Sequence, residues 1–457
     1  MANRHIIGTL RVEVVARPSA DRSALTDWVL AEELWRDLSA VFDQLVPGHE
    51  VVTIPQLELT VQAHSAATLR AALTEAFRDA IGQIVRTRDG QRARFLSIDQ
   101  HGRYRVQYFL ETGRLFWSTS STGPDSIADW FRQLPDAPDA EFVAYLRNRG
   151  PAEPTIWLRF THALGFEKLN RFVLNQLNLS AEQTQWLLDQ LDRHFSRTPF
   201  SAQALFWQTL FLHAPRIQAD PAALTKLVQT TLGTVFEPGH PFSAHPPAQS
   251  TEAVSGRSAS DAPDTGTVFG SADEVALPVS NAGLVLLGPF IPMLFRGLEL
   301  VVGADFRDDE ARCRGIHLLQ YLVTSETDTW EYDLPLNKVL CGWNMDQPVP
   351  RTAHLTEQDY EGAGKLLQHV LAQWPVIRSI EALRVSFLQR KGLLTPSGEG
   401  GWKLDVERKT LDILLTRPPK RPTDGAVGLR DQTAYPTEWG FSVLKFPWMP
   451  TMLTVTW

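Results

Sequence analysis

The chain has 457 residues, 43% of them hydrophobic and 21% charged, which is enough for two or three compact cores and far from the composition of wholesale disorder. With 44 Lys and Arg against 52 Asp and Glu, its formal net charge of −8 argues against a protein whose main task is gripping nucleic-acid phosphates, so no nucleic acid is expected as a partner. Its two cysteines, Cys313 and Cys341, have no second thiol at metal-ligand spacing, so neither a disulfide framework nor a zinc site is indicated and a reducing, cytoplasmic setting fits.

Residues Met1 to Leu10 lack the apolar core of a secretory signal, and no later stretch approaches the ~20 apolar residues that span a bilayer. Membrane insertion is not expected. Residues 1–100 then read as a small α+β unit of two strands and two helices. Leu10, Val12 and Val14 alternate with Arg11 and Glu13, and Ile54, Leu57, Leu59 and Val61 mark a second extended stretch. Leu34, Leu38, Val41, Phe42 and Leu45 share one helical face, as do Leu69, Leu73, Phe77, Ile81 and Ile84.

Residues 101–236 form a helical segment punctuated by Gly113, Pro135, Pro151, Gly165, Pro199 and Pro215. Ser180 followed by Gln183 is a capping-box signature ahead of Trp186, Leu187, Leu191 and Phe195. Residues 237–276 are rich in Pro, Ser, Ala, Gly and Asp and carry few aliphatic side chains, so a disordered, flexible linker is expected there.

Residues 277–457 regain periodicity as a helical module with a small antiparallel sheet. Thr356 and Asp359 form a second capping box, opening a helix that turns Leu366, Leu367, Val370, Leu371 and Trp374 to one side. Trp402, Leu404 and Val406 alternate with Lys403, Asp405 and Glu407; Leu411, Ile413 and Leu415 continue the alternation, and Met452 to Trp457 ends the chain as a β-rich run. Arg417 to Glu438 reads as a polar loop. The fold class is therefore α+β and mainly α.

The chemistry of an enzyme needs a constellation, and none is visible. No phosphate-cradling loop, GxGxxG, HExxH or GxSxG pattern occurs. Gly398 to Lys403 is glycine-rich but precedes a strand and reads as a hairpin turn, because a phosphate cradle must open a helix. Asp305, Asp308, Asp309 and Glu310 read as the acidic first turn of a helix rather than a cation site. His317 reads as a core or boundary histidine, and Cys313 and Cys341 as packing thiols. No catalytic, cofactor-binding or metal-ligating residue is assigned, and no cofactor is expected.

The run NAGLVLLGPFIPMLFRGL at 281–298 resembles the opening of the C-terminal module of contractile injection system tape measure proteins. In the same order follow HLLQYLVT at 317–324, LPLNKVLCGW at 334–343, SFLQRKGLL at 386–394, GWKLDVERKTLDILL at 401–415 and FSVLKFPWM at 441–449. Fainter likenesses are RVQYFLETGRLFW at 105–117, where a helix ends in Thr-Gly ahead of a Pro-Trp-Trp signature, and IPQLELTV at 54–61. Phe116 replaces that signature's proline and Ser118 its second tryptophan.

The resemblance implies a structural or assembly role in a phage-tail-like contractile particle, with the inner tube, the baseplate or an assembly ATPase as partners. It places the chain in the cytoplasm or inside the particle. A literal ruler is limited by geometry, since an α-helix advances ~1.5 Å per residue and even a wholly helical chain would reach only roughly 690 Å. No heptad seam is sustained. Near the C-terminus Pro447 and Pro450 bracket Trp448 and Met449, and proline interrupts strand pairing, so this segment is expected to bulge and present Trp448 and Met449 as candidate partner-binding residues.

Overall fold

A computed structural model of the chain describes Ile7 and residues 32–62, 66–116, 126–134, 139–195, 200–220, 222–235, 276–374, 376–398, 400–416 and 443–457. The strand expected at Leu10 to Val14, the linker at 237–276 except its last residue, and the loop at Arg417 to Glu438 lie outside these residues. The described residues form two compact units: one holds those up to 109 together with 115–133, the other holds 110–114 and those from 134 onward.

In the smaller unit α1 (Glu32–Leu45) and α2 (Ala66–Thr87) bring together the two predicted apolar faces. Leu34, Leu38 and Val41 meet Phe77 and Ile81 in one cluster, and the Phe42 and Phe77 rings meet edge to face at 5.2 Å, a favourable aromatic arrangement. Strand β1 (Glu50–Thr53) pairs antiparallel with β2 (Arg94–Ser97), Val51 opposite Leu96. The second extended stretch thus forms its strand earlier than Ile54 to Val61. Pro55 has no N–H to give a ladder, and Ile54, Leu57 and Leu59 instead pack as irregular chain on the helical cluster. Helices α3 (Ile98–Thr112) and α4 (Ile127–Gln133) complete this part of the chain.

The larger unit opens with seven helices: α5 (Ala140–Arg149), α6 (Pro154–Leu164), α7 (Phe166–Leu177), α8 (Ala181–Phe195), α9 (Phe200–Leu212), α10 (Ala214–Ala219) and α11 (Ala222–Val235). Their starts are chemically marked. Asp139 caps α5 by accepting from the N–H groups of Glu141 and Phe142, Pro154 opens α6, and Ser180 and Gln183 exchange the two bonds of the predicted capping box. Trp157, Phe160, Phe172 and Phe211 fill the space between helices, with ring centroids 5.2 Å apart for Trp157–Phe211 and Phe160–Phe172.

The rest of the larger unit runs β3 (Leu277–Val279), a 3-10 turn at Ala282–Leu287, α12 (Ile291–Gly297), β4 (Val301–Val302), β5 (Asp305–Phe306) and α13 (Asp309–Thr324). A 3-10 turn at Glu331–Asp333, α14 (Pro335–Leu340), α15 (Glu357–Gln373) and α16 (Ile380–Leu383) follow, the last continuing as a π turn at Arg384–Leu388. Strands β6 (Gly392–Pro396), β7 (Trp402–Val406), β8 (Val443–Leu444) and β9 (Leu453–Thr456) join β3 in one sheet of order β3-β6-β7-β9-β8. The Thr356–Asp359 capping box is present with both of its bonds. The β6–β7 hairpin closes through Ser397, whose N–H donates to the Gly401 carbonyl.

Two details depart from expectation. The sheet is antiparallel except for β7 and β9, which run parallel with Leu404 opposite Val455; a parallel pair needs a long crossover, and residues 407–452 separate these strands. The alternation at Leu411 to Leu415 forms a 3-10 turn, Thr410–Thr416. The Asp412 carboxylate accepts from the Lys409 N–H at 2.7 Å and is drawn inward by Arg390, a local side-chain bond that competes with strand pairing and leaves Leu411 and Ile413 exposed.

Candidate functional site

Polar side chains that are sealed from water concentrate in the larger unit, and three groups of them organise it. The first centres on Glu331, 4% exposed, between Arg159 at 1% and Lys338 at 2%. Glu331 accepts from Lys338 Nζ at 2.6 Å and from Arg159 Nε at 3.2 Å. Two cations face one carboxylate, and the imbalance is met by main-chain dipoles. Arg159 donates to the carbonyls of Leu110, Glu111 and Asp346, and Lys338 to those of Met345 at 3.0 Å and Gln347 at 2.8 Å. Leu110 and Glu111 are in the last turn of α3, where carbonyls lack helical partners and a cation is favoured. Burial pushes the Lys338 ammonium below its usual range, while Glu331 acts in the opposite direction.

The Thr-Gly turn that ends α3 fits this cluster. Gly113 has φ +72°, and a side chain there would place its first carbon 2.4 Å from Glu331 Oε1, so the position needs glycine on both conformational and steric grounds. Arg114 lies 3.6 Å from the Asp346 carboxylate.

The second group explains the Asn-Ala-Gly opening. Asn281 Nδ2 donates to Gln320 Oε1 at 2.9 Å and to Asn337 Oδ1 at 2.7 Å, while Asn337 donates to the Ile316 carbonyl at 3.0 Å. This buried amide ladder ties the 3-10 turn at 282–287 to α13 and α14. Gly283 then lets two backbones touch: an added carbon would sit 1.7 Å from the Phe387 carbonyl oxygen. In the third group Arg390, fully buried, pairs with Asp412. Trp457 donates to the same carboxylate at 3.1 Å, and the guanidinium stacks on the Phe387 and Trp457 rings.

Trp448 and Met449 turn inward. They are 5% and 3% exposed; Trp448 donates to the Leu340 carbonyl at 2.9 Å, and its ring packs on Phe295, Phe306 and Phe446. The segment does leave the ladder between β8 and β9, but the departure aims the indole into the core. Asp308 caps α13 through the Ala311 N–H, with Asp309 and Glu310 in its first turn, as the acidic run suggests. His317 is buried against the Pro350 carbonyl at 2.8 Å. Burial raises the Cys313 thiol to about 12 and lifts Cys341 well above the usual range, so both thiols are held protonated.

Among the described residues no group of three His, Cys, Asp or Glu side chains is arranged to hold a metal ion, and no helix is long and apolar enough to cross a membrane. A shallow groove of about 500 Å³, lined by residues including Glu167, Asn170, Arg171 and Thr184, contains none of the residues singled out from sequence. Arg159, Glu331, Lys338, Asn281, Asn337 and Arg390 escape a sequence reading. For some of them the signal is one or two polar side chains inside an apolar run, as Arg159 in TIWLRF at 155–160 and Asn337 and Lys338 in LPLNKVL at 334–340.

A family model for contractile injection system tape measure proteins matches residues 4–419, most of the chain and five of the six runs that carry the C-terminal resemblance. The chain belongs to the contractile injection system tape measure protein family. The match stops before β8 and β9, which complete the sheet. No similar curated protein and no similar solved structure is found. In this tape measure family member the Asn-Ala-Gly run belongs to the amide ladder and the Thr-Gly run packs on the Glu331 cluster, while the Leu-Pro-Leu-Asn-Lys run contributes to both through Asn337 and Lys338.

Proposed function

We propose that the chain is a non-enzymatic structural or assembly component of its contractile injection system, working as a folded body rather than as an extended ruler. The observation that carries this reading is the commitment of its buried charges: Arg159, Lys338 and Arg390 are each sealed against carboxylates and carbonyls inside the fold. Groups used in this way build a rigid body and are not poised to act on a substrate. The longest described helix, Ala66–Thr87 with 22 residues, advances only ~33 Å. Its proposed partners are the inner tube, the baseplate or an assembly ATPase, and its proposed location is the cytoplasm until it enters the particle.

Particle length and composition test this together. Chains shortened or lengthened by twenty residues within 237–276 are expected to give particles of unchanged tube length, measured on electron micrographs, while deletion of the gene product abolishes particles. Tube length that tracks the change would establish a ruler. Mass spectrometry of purified particles then separates a retained component, present in fixed copy number, from an assembly adaptor that is absent from the finished particle.

A further inference from the structure

We infer that the face built by Glu331, Lys338, Asp346 and Arg351 is a binding surface for helix α6 that works without the covalent connection through residues 236–275, so that the helical part and the C-terminal part of the larger unit hold each other when the chain between them is cut. The surface is specific in its chemistry. It offers a buried carboxylate to the Arg159 guanidinium at 3.2 Å and the Asp346 carbonyl to the same group. It also offers a guanidinium of its own, since Arg351 Nη1 donates to the Ala163 carbonyl at 3.3 Å, one turn further along α6.

Arg351 is preset for this contact. Asp328 holds it by an ion pair, and the Trp330 ring lies under it at 4.3 Å. Its partner helix is equally prepared, because Arg159 also binds the carbonyls of Leu110 and Glu111 and so brings the Thr-Gly turn with it. Gly113 lies against Glu331 and Arg114 pairs with Asp346, which adds a second chain segment to the same face.

Parting these surfaces would leave Glu331 with Lys338 as its one cation and Arg159 with the Leu110 and Glu111 carbonyls but no carboxylate. Breaking a buried pair costs far more than breaking an exposed one, because each charge left behind must be resolvated or remain unmatched. The contact is therefore expected to outlast the loss of the covalent link. This inference is independent of the assembly reading, since it concerns how the chain holds itself together.

The test uses the full-length protein with a specific protease site placed in 236–275, cut to completion under native conditions and analysed by size-exclusion chromatography with native mass spectrometry. The wild-type halves are expected to stay as a one-to-one complex at micromolar concentration. Arg159→Met, which keeps the volume and removes the charge, is expected to weaken the association of the cut halves by about tenfold or more, and the uncut variant keeps its helical circular dichroism. Cut wild-type halves that separate while each retains helical signal overturn the inference. So does a cut Arg159→Met protein that holds together as tightly as wild type.

Discussion

Strands β1 and β2 of the smaller unit and strands β6, β7 and β9 of the larger one have similar lengths, but only the second set has a buried face. Every residue of β1 is half-exposed, whereas Leu394, Leu404 and Leu453 in the five-stranded sheet are fully buried. A two-stranded ribbon has too little surface to bury one side, while five strands backed by helices can. Among the described residues the sealed ion pairs follow the same division, although the larger unit has exposed pairs as well, such as Lys365–Glu361. In the smaller unit Arg70 and Asp37 pair at 2.7 Å with both side chains partly in water; in the larger one Arg159, Glu331 and Lys338 are sealed. Pairs of similar length, 2.7 Å for Arg70–Asp37 and 2.6 Å for Lys338–Glu331, thus carry unequal energetic weight, since exposed pairs contribute little and a broken buried pair costs several times more.

The largest expected contrast lies between two glycines. Gly283→Ala forces a carbon against the Phe387 carbonyl and is expected to remove cooperative unfolding of the larger unit or cost more than ~4 kcal/mol. Gly90→Ala, with nothing within 4 Å, should stay within about 0.5 kcal/mol. Chemical denaturation of both variants measures the difference, and similar midpoints would break the comparison.

Tryptophan gives the next contrast. Trp448→Ala should destabilise by ~3–5 kcal/mol through the cavity it leaves. Trp35, 41% exposed in the smaller unit, should cost less on truncation, about 1–3 kcal/mol, since part of its area stays in water in the folded chain. A stable Trp448→Ala protein would mean that the 445–452 segment is not part of the core.

Glu331→Ala against Asp37→Ala sharpens the electrostatic half of the comparison. Removing the buried partner of Arg159 and Lys338 should cost ~3–5 kcal/mol, and removing Asp37, the partly exposed partner of Arg70, about 0.2–1 kcal/mol. Equal losses would show that burial does not set the difference.

The smallest effect concerns acid. Burial lowers His317 to about 4 in the larger unit and His101 to about 4 in the smaller, against ~6.5 in an unfolded chain. Between those values the unfolded chain binds a proton that the folded one refuses, so stability is full above pH ~6.5 and falls as the pH drops toward 4. Asp333, raised to about 7 by burial and the nearby Glu326 charge, works in the opposite sense, favouring the folded state at low pH. His317→Gln and His101→Gln should each flatten the acid side of the stability curve measured by denaturation at stepped pH. An unchanged slope in either would show that the ring is not withheld from protons in the folded state.

What the sequence determined by itself was local. The apolar faces of α1, α2 and α15, the capping boxes at Ser180 and Thr356 and the hairpin at Ser397 to Gly401 were legible because their partners lie within a few residues. The family was legible too, through the order of its runs. Only the tertiary structure decided the rest. The parallel pairing of β7 with β9 depends on the route of a crossover, which alternation does not encode. The turn at Thr410–Thr416 depends on Arg390 reaching Asp412 across 22 positions. The inward turn of Trp448 depends on Leu340, 108 positions away. The Glu331 framework joins residues 172 positions apart, and a buried charge is tolerated only where distant chain supplies its counter-charge and carbonyls, so no local pattern could announce it.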